Sequence, residues 1–387
     1  MQKNMDFKPL AGIRAVELGH FVAGPNLGSL LTFFGAEVVK VEPPQGDISL
    51  RTAPWAYHLF NMGKRDICLD ISKVEGQEIL KKLVASSDIL VENLSPESVE
   101  KLGLGYERLS QVNPRLIYCS IKGFSRDSPD WRRPAFDAVA QAEGGLMATT
   151  GSEGWFARVN NPSVDMGAAA YGLAAIALAL IERNMTGRGR FIEVPLFDLA
   201  VYWSGYWIAY YSMTGKEPER LGTGHSAYSP YGVYRTSDGH VFIGVITDEQ
   251  WIKLCRLLGI PITEELETMR KRIENRSHVN MMVEAATSRY TTESIISLLA
   301  REVPVAKVRT IADLAGDYSL VARGLLKEMD IEGMILKLAT PPIITECGRV
   351  ETPTHPAKTG SDTVEILKRL GYGDGEILDF KRSGVIR

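Results

Sequence analysis

Apolar positions recur in short blocks along the first 200 residues, and the blocks alternate between two patterns. Residues 12–19 (GIRAVELG) and 36–43 (AEVVKVEP) have the short apolar runs of buried strands. Residues 24–36 (GPNLGSLLTFFGA), between them, are apolar at helical spacing. The chain is therefore predicted to open with a βαβ unit.

The alternation continues to about residue 124. Residues 73–87 are amphipathic at helical spacing, 88–93 (DILVEN) form a short apolar run, 96–103 begin a helix with proline, and 115–124 (RLIYCSIKGF) indicate another strand. Strands that alternate with helices predict a parallel sheet with helices on both faces. We therefore expect an α/β protein with a Rossmann-like large domain.

The pattern changes after Thr214. Residues 215–232 are rich in glycine, proline and polar residues, and residues 233–246 predict a hairpin that turns at 237–239. Helical stretches follow, which indicates a second, smaller α+β domain. We expect a large domain at 1–200 completed by 330–387, a small domain at 225–325, and linkers at about 201–224 and 326–335.

Charge and hydropathy narrow the classes of partner. The formal net charge is −3, so bulk attraction would hold neither nucleic acid nor an anionic membrane. The longest uncharged apolar run, Met166–Ile181, is shorter than the roughly 20 residues that span a bilayer, and the N-terminus lacks the pattern of a secretory signal. These features predict a cytoplasmic protein without membrane or nucleic-acid partners.

Common cofactor and catalytic motifs are missing from the sequence. After the first predicted strand, glycines stand at 19, 24 and 28, a spacing that does not match G-x-G-x-x-G. The chain contains no G-x-x-x-x-G-K-[ST], no G-x-S-x-G and no Cys or His cluster with metal-ligand spacing. NAD, ATP and metal chemistry are therefore not expected.

One carboxylate, Asp165, stands directly ahead of the long apolar run. As a helix N-cap it would accept hydrogen bonds from first-turn amides, and on its residue type alone this interpretation is favoured. The following small residues, 167–170 (GAAA), favour a second interpretation, because a ligand could approach the carboxylate and free helix amides closely. In that setting the carboxylate could attack an activated acyl group.

Several segments, in one shared order, resemble the family III CoA-transferases, which include formyl-CoA and carnitine CoA-transferases and α-methylacyl-CoA racemase. The segments are LAGIRAVELGHFVAGP (10–25), LLTFFGAEVVKVEPPQGD (30–47), NMGKRDICLDI (61–71), DILVENLSPESVEKLGLGYERLSQVNPRLIYCSIKGF (88–124), PAFDAVAQAEGGLMATTG (134–151), VDMGAAAYGLAAIALALIERNMTGRGRFIEVPLFD (164–198), SPYGVYRTSDGHVFI (229–243) and GSDTVEILKRLGY (360–372).

The resemblance implies that Asp165 is the nucleophile of a CoA-transferase. CoA would move from an acyl-CoA to a carboxylic acid through an aspartyl anhydride and then an aspartyl-CoA thioester, without a metal. The resemblance also implies an interlocked homodimer, with the active site between the large domain of one subunit and the small domain of the other.

The same resemblance implies a set of residues that contact CoA or its acyl group. These are Val22, Ala23, Leu69, Asp70, Asn93, Leu94, Lys101, Phe136 and Asp137. Each also has an ordinary structural interpretation, such as core packing for Val22 or a solvated surface position for Lys101. Aromatic or aliphatic acyl groups are expected to fit more easily than a small dianion.

Alternatives remain at this point. A racemase of the family would need a proton-carrying histidine where this chain has Phe136, which disfavours two-base racemisation. An isomerase that moves CoA between two carboxyls of one acid would use the same Asp165. A non-catalytic CoA-binding protein is the remote alternative, and the retention of Asp165 with its small-residue helix speaks against it.

Overall fold

A computed structural model describes residues 7–351, 353 and 358–387. The strands are β1 (Arg14–Leu18), β2 (Glu37–Glu42), β3 (Arg65–Cys68), β4 (Ile89–Glu92), β5 (Ile117–Lys122), β6 (Gly151–Ser152), β7 (Trp155–Phe156), β8 (Arg190–Pro195), β9 (Tyr231–Arg235), β10 (His240–Gly244), β11 (Val305–Lys307), β12 (Leu326–Ile331), β13 (Met334–Ala339), β14 (Ile344–Thr345) and β15 (Gly348–Arg349). The α-helices are α1 (Ala23–Phe33), α2 (Ile48–Thr52), α3 (Pro54–Phe60), α4 (Val74–Ala85), α5 (Pro96–Leu102), α6 (Tyr106–Val112), α7 (Asp137–Glu143), α8 (Leu146–Thr149), α9 (Ser163–Thr186), α10 (Leu196–Thr214), α11 (Asp248–Leu258), α12 (Met269–Glu274), α13 (Arg276–Thr287), α14 (Thr292–Leu299), α15 (Ile311–Gly316), α16 (Tyr318–Ala322), α17 (Thr363–Arg369) and α18 (Asp374–Arg382).

The first of two compact units contains the chain up to Gly145, Val159–Ser204 and Tyr318–Arg387. Its six-stranded sheet has the order β3-β2-β1-β4-β5-β8, and every neighbouring pair is parallel. The predicted α/β class and parallel sheet are therefore confirmed. The strand order reverses between β1 and β4, and in such sheets ligands bind beyond the carboxyl ends of the strands at that position.

Helix α9 packs against α1 through small residues. A Cβ added at Gly172 would lie 2.8 Å from Cδ2 of Leu27, so only glycine allows this close approach. The helix is longer than the apolar run suggested, and among the described residues it is the one helix long and apolar enough to cross a membrane. Its buried positions, including Ala168, Ala169 and Ile176, pack as those of a core helix do.

The C-terminal segment of the chain completes this unit. Leu69 forms an isolated antiparallel bridge with Ile386, and the amide of Asp70 donates to the carbonyl oxygen of Val385 over 2.7 Å. Val385 and Ile386 belong to the same buried apolar cluster as Val16 and Leu90 of the sheet. Residues about 300 positions apart therefore share one core.

The second unit contains Leu146–Arg158 and Gly205–Asp317. Strands β9 and β10 form the predicted hairpin, β11 pairs with β10, and fully buried Trp251 of α11 lies in the core. Residues 146–158, expected in the large domain, belong to this unit.

Neither expected linker has an irregular conformation throughout. Helix α10 continues through Thr214, inside the expected linker 201–224, and residues 326–339 form the hairpin β12–β13 in place of a linker at 326–335. Met329 and Ile331 before the Glu332–Gly333 turn, and Leu336 and Leu338 after it, alternate with polar residues, as is typical of such a hairpin.

Candidate active site

A cavity of about 230 Å³, here called cavity A, lies beyond the carboxyl ends of β4 and β5 in the first unit. It brings together Asp165 and five of the residues predicted to contact CoA, namely Val22, Ala23, Asn93, Leu94 and Phe136. These residues come from four separate parts of the sequence. The parallel sheet explains their convergence, because it places the ends of successive strands at one edge.

Asp165 lies inside the first turn of α9, which begins at Ser163, and does not cap the helix. The capping carboxylate is that of Asp137, at the start of α7. Asp137 accepts hydrogen bonds from the amides of Val164, at 2.7 Å, and Asp165, at 3.4 Å. The interpretation of Asp165 as an N-cap is therefore wrong, because another helix supplies the cap.

The first-turn amides of α9 are also occupied, contrary to expectation. Besides the two amides bound to Asp137, the amide of Met166 donates to the carbonyl oxygen of Pro162 over 2.9 Å. Negative charge on a ligand would thus have to be stabilised elsewhere. Helix α1 is the alternative, because it has no side-chain cap and its first residue, Ala23, lines cavity A.

The environment of Asp165 changes its acidity. Burial, and secondarily the negative charge of Asp137, raises the pKa of Asp165 to about 7. Asp137 is itself 6% exposed and is held in place by Gln141, whose Nε2 lies 2.5 Å from its Oδ1. The pair places an ionisable carboxyl group that lines cavity A beside a second, buried carboxylate.

The loop between β1 and α1 forms one wall of cavity A. Asn93 holds it from β4, because its Oδ1 accepts from the amide of His20 at 3.0 Å and its Nδ2 donates to the carbonyl oxygen of His20 at 2.9 Å. Phe21 adopts a left-handed conformation with φ of 62°, which is unusual for a residue other than glycine. Asn93 therefore fixes the loop that presents Val22 and Ala23.

A buried ion network lies beneath this loop. The Lys40 ammonium is 3.2 Å from Glu17, 3.0 Å from Asp47 and 2.7 Å from the carbonyl oxygen of Gly19, while Lys64 is 2.6 Å from Glu17. Burial lowers the pKa of Lys64 to about 8. For Lys40 the nearby carboxylates outweigh burial and raise the pKa. The network anchors the loop through Gly19.

A second cavity, here called cavity B, has a volume of about 500 Å³ and shares His20, Phe21 and Leu94 with cavity A. Leu69, predicted to contact CoA, lines cavity B. So do residues of the loop that follows β2, among them Gly46 and Asp47. The two cavities together could accept a long ligand.

Three other predicted contact residues line neither cavity. Asp70 accepts hydrogen bonds from the amide and hydroxyl of Ser72, Lys101 is exposed in the last turn of α5, and the Asp137 carboxylate is committed to α9 and Gln141. The structure thus brings six of the ten predicted site residues to cavity A, including Asp165, and one more, Leu69, to cavity B alone.

Three cations of cavity A were not predicted from the sequence. They are Lys122, Arg132 and Arg133, at the end of β5 and in the loop that follows it. Lys122 is bound to Glu92 at 2.6 Å, and Arg132 to Glu100 at 2.7 Å. Their position after a buried strand was the available signal. Among the described residues, no group of His, Cys, Asp and Glu is arranged to hold a metal ion.

Comparison with known families gives a match over nearly the whole chain. The model of CoA-transferase family III matches residues 10–363. Among curated proteins, the succinate–glutarate CoA-transferase of Agrobacterium fabrum is 31% identical, with 94% of this chain and 96% of the relative covered. The β subunit of the succinyl-CoA–L-malate CoA-transferase of Chloroflexus aurantiacus is 33% identical, with 98% of both chains covered.

Solved structures agree with this result. A CAIB/BAIF family protein from Brucella suis has a TM-score of 0.86 and 32% identity, with 95% of this chain and 100% of that chain covered. Rv3272 from Mycobacterium tuberculosis has a TM-score of 0.81 and 25% identity, with 94% and 100% covered.

Proposed function

Because the chain belongs to CoA-transferase family III, we propose that it exchanges CoA between dicarboxylic acids through a covalent intermediate on Asp165. The chain is an enzyme of acyl-CoA metabolism that moves CoA from an acyl-CoA to a carboxylic acid. The proposal adds the nucleophile, the course of the reaction and the class of acid.

The reaction proceeds in four acyl transfers. The ionised Asp165 attacks the thioester carbonyl of the donor, which breaks the C–S bond, releases CoA thiolate and forms an anhydride. The thiolate attacks the aspartyl carbonyl, which releases the donor acid and leaves aspartyl-CoA. The acceptor carboxylate then displaces the thiolate to form a second anhydride. Finally, the thiolate attacks the acceptor carbonyl, which releases the new acyl-CoA and Asp165.

The observation that carries the proposal is that Asp165 reaches cavity A while Asp137 caps its helix. A carboxylate that capped α9 would have its lone pairs engaged by amides and would be a poorer nucleophile. The N-cap residue of α9 is Pro162, so the Asp165 side chain is not the cap of its own helix. Its raised pKa, about 7, also increases its basicity once it is ionised.

The CoA moiety is proposed to extend from cavity A into cavity B. The thioester would lie near Asp165, with Val22, Ala23, Asn93 and Phe136 around the pantetheine arm. The nucleotide would occupy the apolar surface near Leu69 in cavity B. The N-terminus of α1 would then stabilise negative charge that develops on the acyl oxygen.

Dicarboxylic acids are proposed because of the relatives and the cations of the site. The names of the relatives pair succinate or succinyl-CoA with glutarate, mesaconate or malate. Lys122, Arg132 and Arg133 line the cavity that contains Asp165. This proposal replaces the expectation, from the sequence, that aromatic or aliphatic acyl groups would be preferred.

A homodimer is proposed from the exposed face of α9. Leu178, Ile181 and Met185 are 67%, 59% and 77% exposed, and their spacing places them on one side of the helix. Apolar surface of this kind is typical of an interface between subunits. Sedimentation of the purified protein as a monomer at micromolar concentration would argue against this assembly.

Mass spectrometry of trapped intermediates tests the mechanism. The enzyme is mixed with succinyl-CoA and treated with hydroxylamine or borohydride, and modification is expected only on the peptide that contains Asp165. Asp165→Asn should show none. Asp198→Asn is the matched control, since Asp198 also lies in the first turn of a helix and also has a raised pKa, caused by burial and Asp127. The covalent mechanism would be rejected if the same peptide were labelled in Asp165→Asn, or if the wild-type enzyme were not labelled at all.

Dependence on an acceptor separates transfer between two acids from isomerisation of one acid. Succinyl-CoA should be consumed only when glutarate or another acid is added. Rearrangement of an asymmetric dicarboxyl-CoA without any added acid would support the intramolecular isomerase.

A further inference from the structure

Two buried carboxyl groups lie diagonally across neighbouring strands of the first unit's sheet, apart from Asp165: Asp66 is opposite Lys40 in the register, and Glu42 is two residues beyond Lys40. Glu42 ends β2 and Asp66 lies in the neighbouring strand β3, and they are 1% and 0% exposed. Glu42 already accepts hydrogen bonds from the Tyr57 hydroxyl, at 2.9 Å, and the Thr359 hydroxyl, at 2.9 Å. Asp66 uses Oδ1 to accept from the amide of Gly360 over 2.5 Å.

The second oxygen of Asp66 has no donor among the residues that the structure describes. Oδ2 is fully buried and unsatisfied if Asp66 is ionised. A buried carboxylate oxygen without a donor is costly, and a neighbouring carboxylate increases the cost. A proton on Oδ2 removes both costs, because the neutral acid can donate a hydrogen bond to Glu42.

Charged groups near the pair offer little compensation. The titratable groups that face Asp66 are Glu42, Lys40, Tyr57, Cys68 and, across its amide, Asp362, while Asp47 contacts Glu42 through its own amide. Lys40 is the one cation among them, and its contacts go to Glu17, Asp47 and the carbonyl oxygen of Gly19. Burial, and next the charge of Glu42, raises the pKa of Asp66 to about 8.

We propose that Glu42 and Asp66 share one proton at neutral pH, and that this proton fastens the C-terminal segment to the loop bordering cavity B. Both ends of the connection involve the pair directly. Thr359 and Gly360 bind Glu42 and Asp66 from the C-terminal side. The amide of Asp47 donates to Glu42 over 3.3 Å from the loop.

The pair would thereby act as positioning residues for CoA, a consequence that rests on the proposed function. Glu42 itself lines cavity B, together with Gln45, Gly46, Asp47 and Ile48 of the loop. Loss of the proton to solvent would leave two adjacent buried carboxylates, and their repulsion would displace Thr359 and this loop. Weaker binding of the nucleotide would follow above the pKa of Asp66.

The effect on stability has a defined sign. Asp66 has a pKa of about 8 in the folded protein and an ordinary value of 3.8. The folded state therefore holds the proton more tightly, and the stability that this proton contributes is complete below about pH 4 and is lost as pH rises to about 8.

Infrared spectroscopy detects the shared proton directly. The experiment uses Asp165→Asn as the parent protein, because Asp165 also titrates near neutrality. A carbonyl band of a protonated acid is expected at pH 7, lost above pH 8, and missing when Asp66→Asn is added. Asp362→Asn is the matched control, since Asp362 also joins the C-terminal segment to β3 but has a lowered pKa despite burial, because of the hydrogen bonds that it accepts. It should keep the band.

Asp66→Asn is expected to fold, because its amide can accept from Gly360 and donate to Glu42. Absence of the band in the parent at pH 7, or its persistence in Asp66→Asn, would overturn the shared proton. The infrared measurement does not involve CoA, so its outcome is independent of the proposed function.

Binding of desulfo-CoA, which has no thiol to titrate, tests the positioning role. Affinity for the parent protein should fall as pH rises through 8, and affinity for the Asp66→Asn variant should fall less. Lys64, whose pKa is also about 8, titrates in both proteins and so does not affect the difference. An equal pH dependence in both would overturn the positioning role, while no binding to either at any pH would instead reject CoA binding in these cavities.

Discussion

The first unit contains two carboxyl pairs, and the member of each pair that has a raised pKa differs in access. Asp165 beside Asp137 and Asp66 beside Glu42 both have a pKa raised by burial and then by the partner's charge. Asp165 lines cavity A, whereas Asp66 is enclosed by β2 and the C-terminal segment and lines neither cavity A nor cavity B. A raised pKa therefore does not by itself identify a nucleophile; an opening to a ligand is also required.

The largest difference between the pairs is expected when Asp165 is removed. Asp165→Ala should lower kcat by about 10⁴-fold or more, as loss of a covalent nucleophile does. Its Tm at pH 8 should not fall, because the folded protein gives up a carboxylate that it holds at a raised pKa. Steady-state kinetics and thermal unfolding of one preparation measure both effects. Near-normal turnover by Asp165→Ala would show that Asp165 is no more a nucleophile than Asp66 is.

Truncation of Glu42, in the pair with Asp66, should lower stability and leave the chemical step intact, the opposite of the effects expected for Asp165→Ala. Glu42→Ala leaves the hydroxyls of Tyr57 and Thr359 without their acceptor and should lower the free energy of unfolding by about 3 kcal/mol. Urea unfolding measures the loss. Aspartyl-CoA should still form on the folded fraction at saturating succinyl-CoA, because Asp165 is unchanged. A stable Glu42→Ala variant would show that the pair is not structural.

Replacement of Asp137 should change the pKa of Asp165 more than it changes the stability of the protein. The wild-type kcat/KM should fall tenfold for each pH unit below about 7, because Asp165 must be ionised. Asp137→Asn removes the neighbouring charge, so this fall should begin at lower pH. The weaker helix cap should cost about 1 kcal/mol. A pH profile that coincides with the wild type would mean that burial alone sets the pKa of Asp165. Asp198→Asn is the control, and its pH profile should match that of the wild type.

The smallest effect is expected for Asp362, which lies next to the Glu42–Asp66 pair and binds the amide of Asp66. Asp362 binds Arg65 at 3.0 Å, and both side chains are partly exposed. Asp362→Asn should change the free energy of unfolding by about 1 kcal/mol or less, as for other solvated ion pairs. A loss as large as that of Glu42→Ala would place the fastening of the C-terminal segment at Asp362 instead.

Much of the fold follows from local patterns in the sequence. The strands at 14–18, 37–42, 89–92 and 117–122 coincide with short apolar runs, and the hairpin at 231–244 has its turn residues between alternating strands. The hairpin at 326–339 was missed although its residues alternate. The assignment of residues 146–158 to the second unit depends on contacts distant in sequence, which periodicity does not report.

The site was predicted in part for the same reason. Asp165 was identified by its position before small residues. Its residue type alone favoured a capping role, which is wrong because the competing cap, Asp137, lies 28 residues away in the chain. Lys122, Arg132 and Arg133 carry no distinctive spacing, and only the folded sheet brings them to Asp165. The Glu42–Asp66 pair needs the register of β2 and β3 and a segment about 290 residues later.

The docking of the C-terminal segment on β3 has a consequence for biosynthesis. During synthesis β1 to β5 emerge from the ribosome early, whereas Ile366, Leu367, Ile377 and Val385, which belong to the same apolar cluster, emerge much later. Residues 205–317 of the second unit emerge between them and contain a core of their own. The second unit can therefore fold on the ribosome before the first unit is complete. Until the C-terminal segment emerges, the sheet of the first unit keeps an exposed apolar surface that a chaperone could bind.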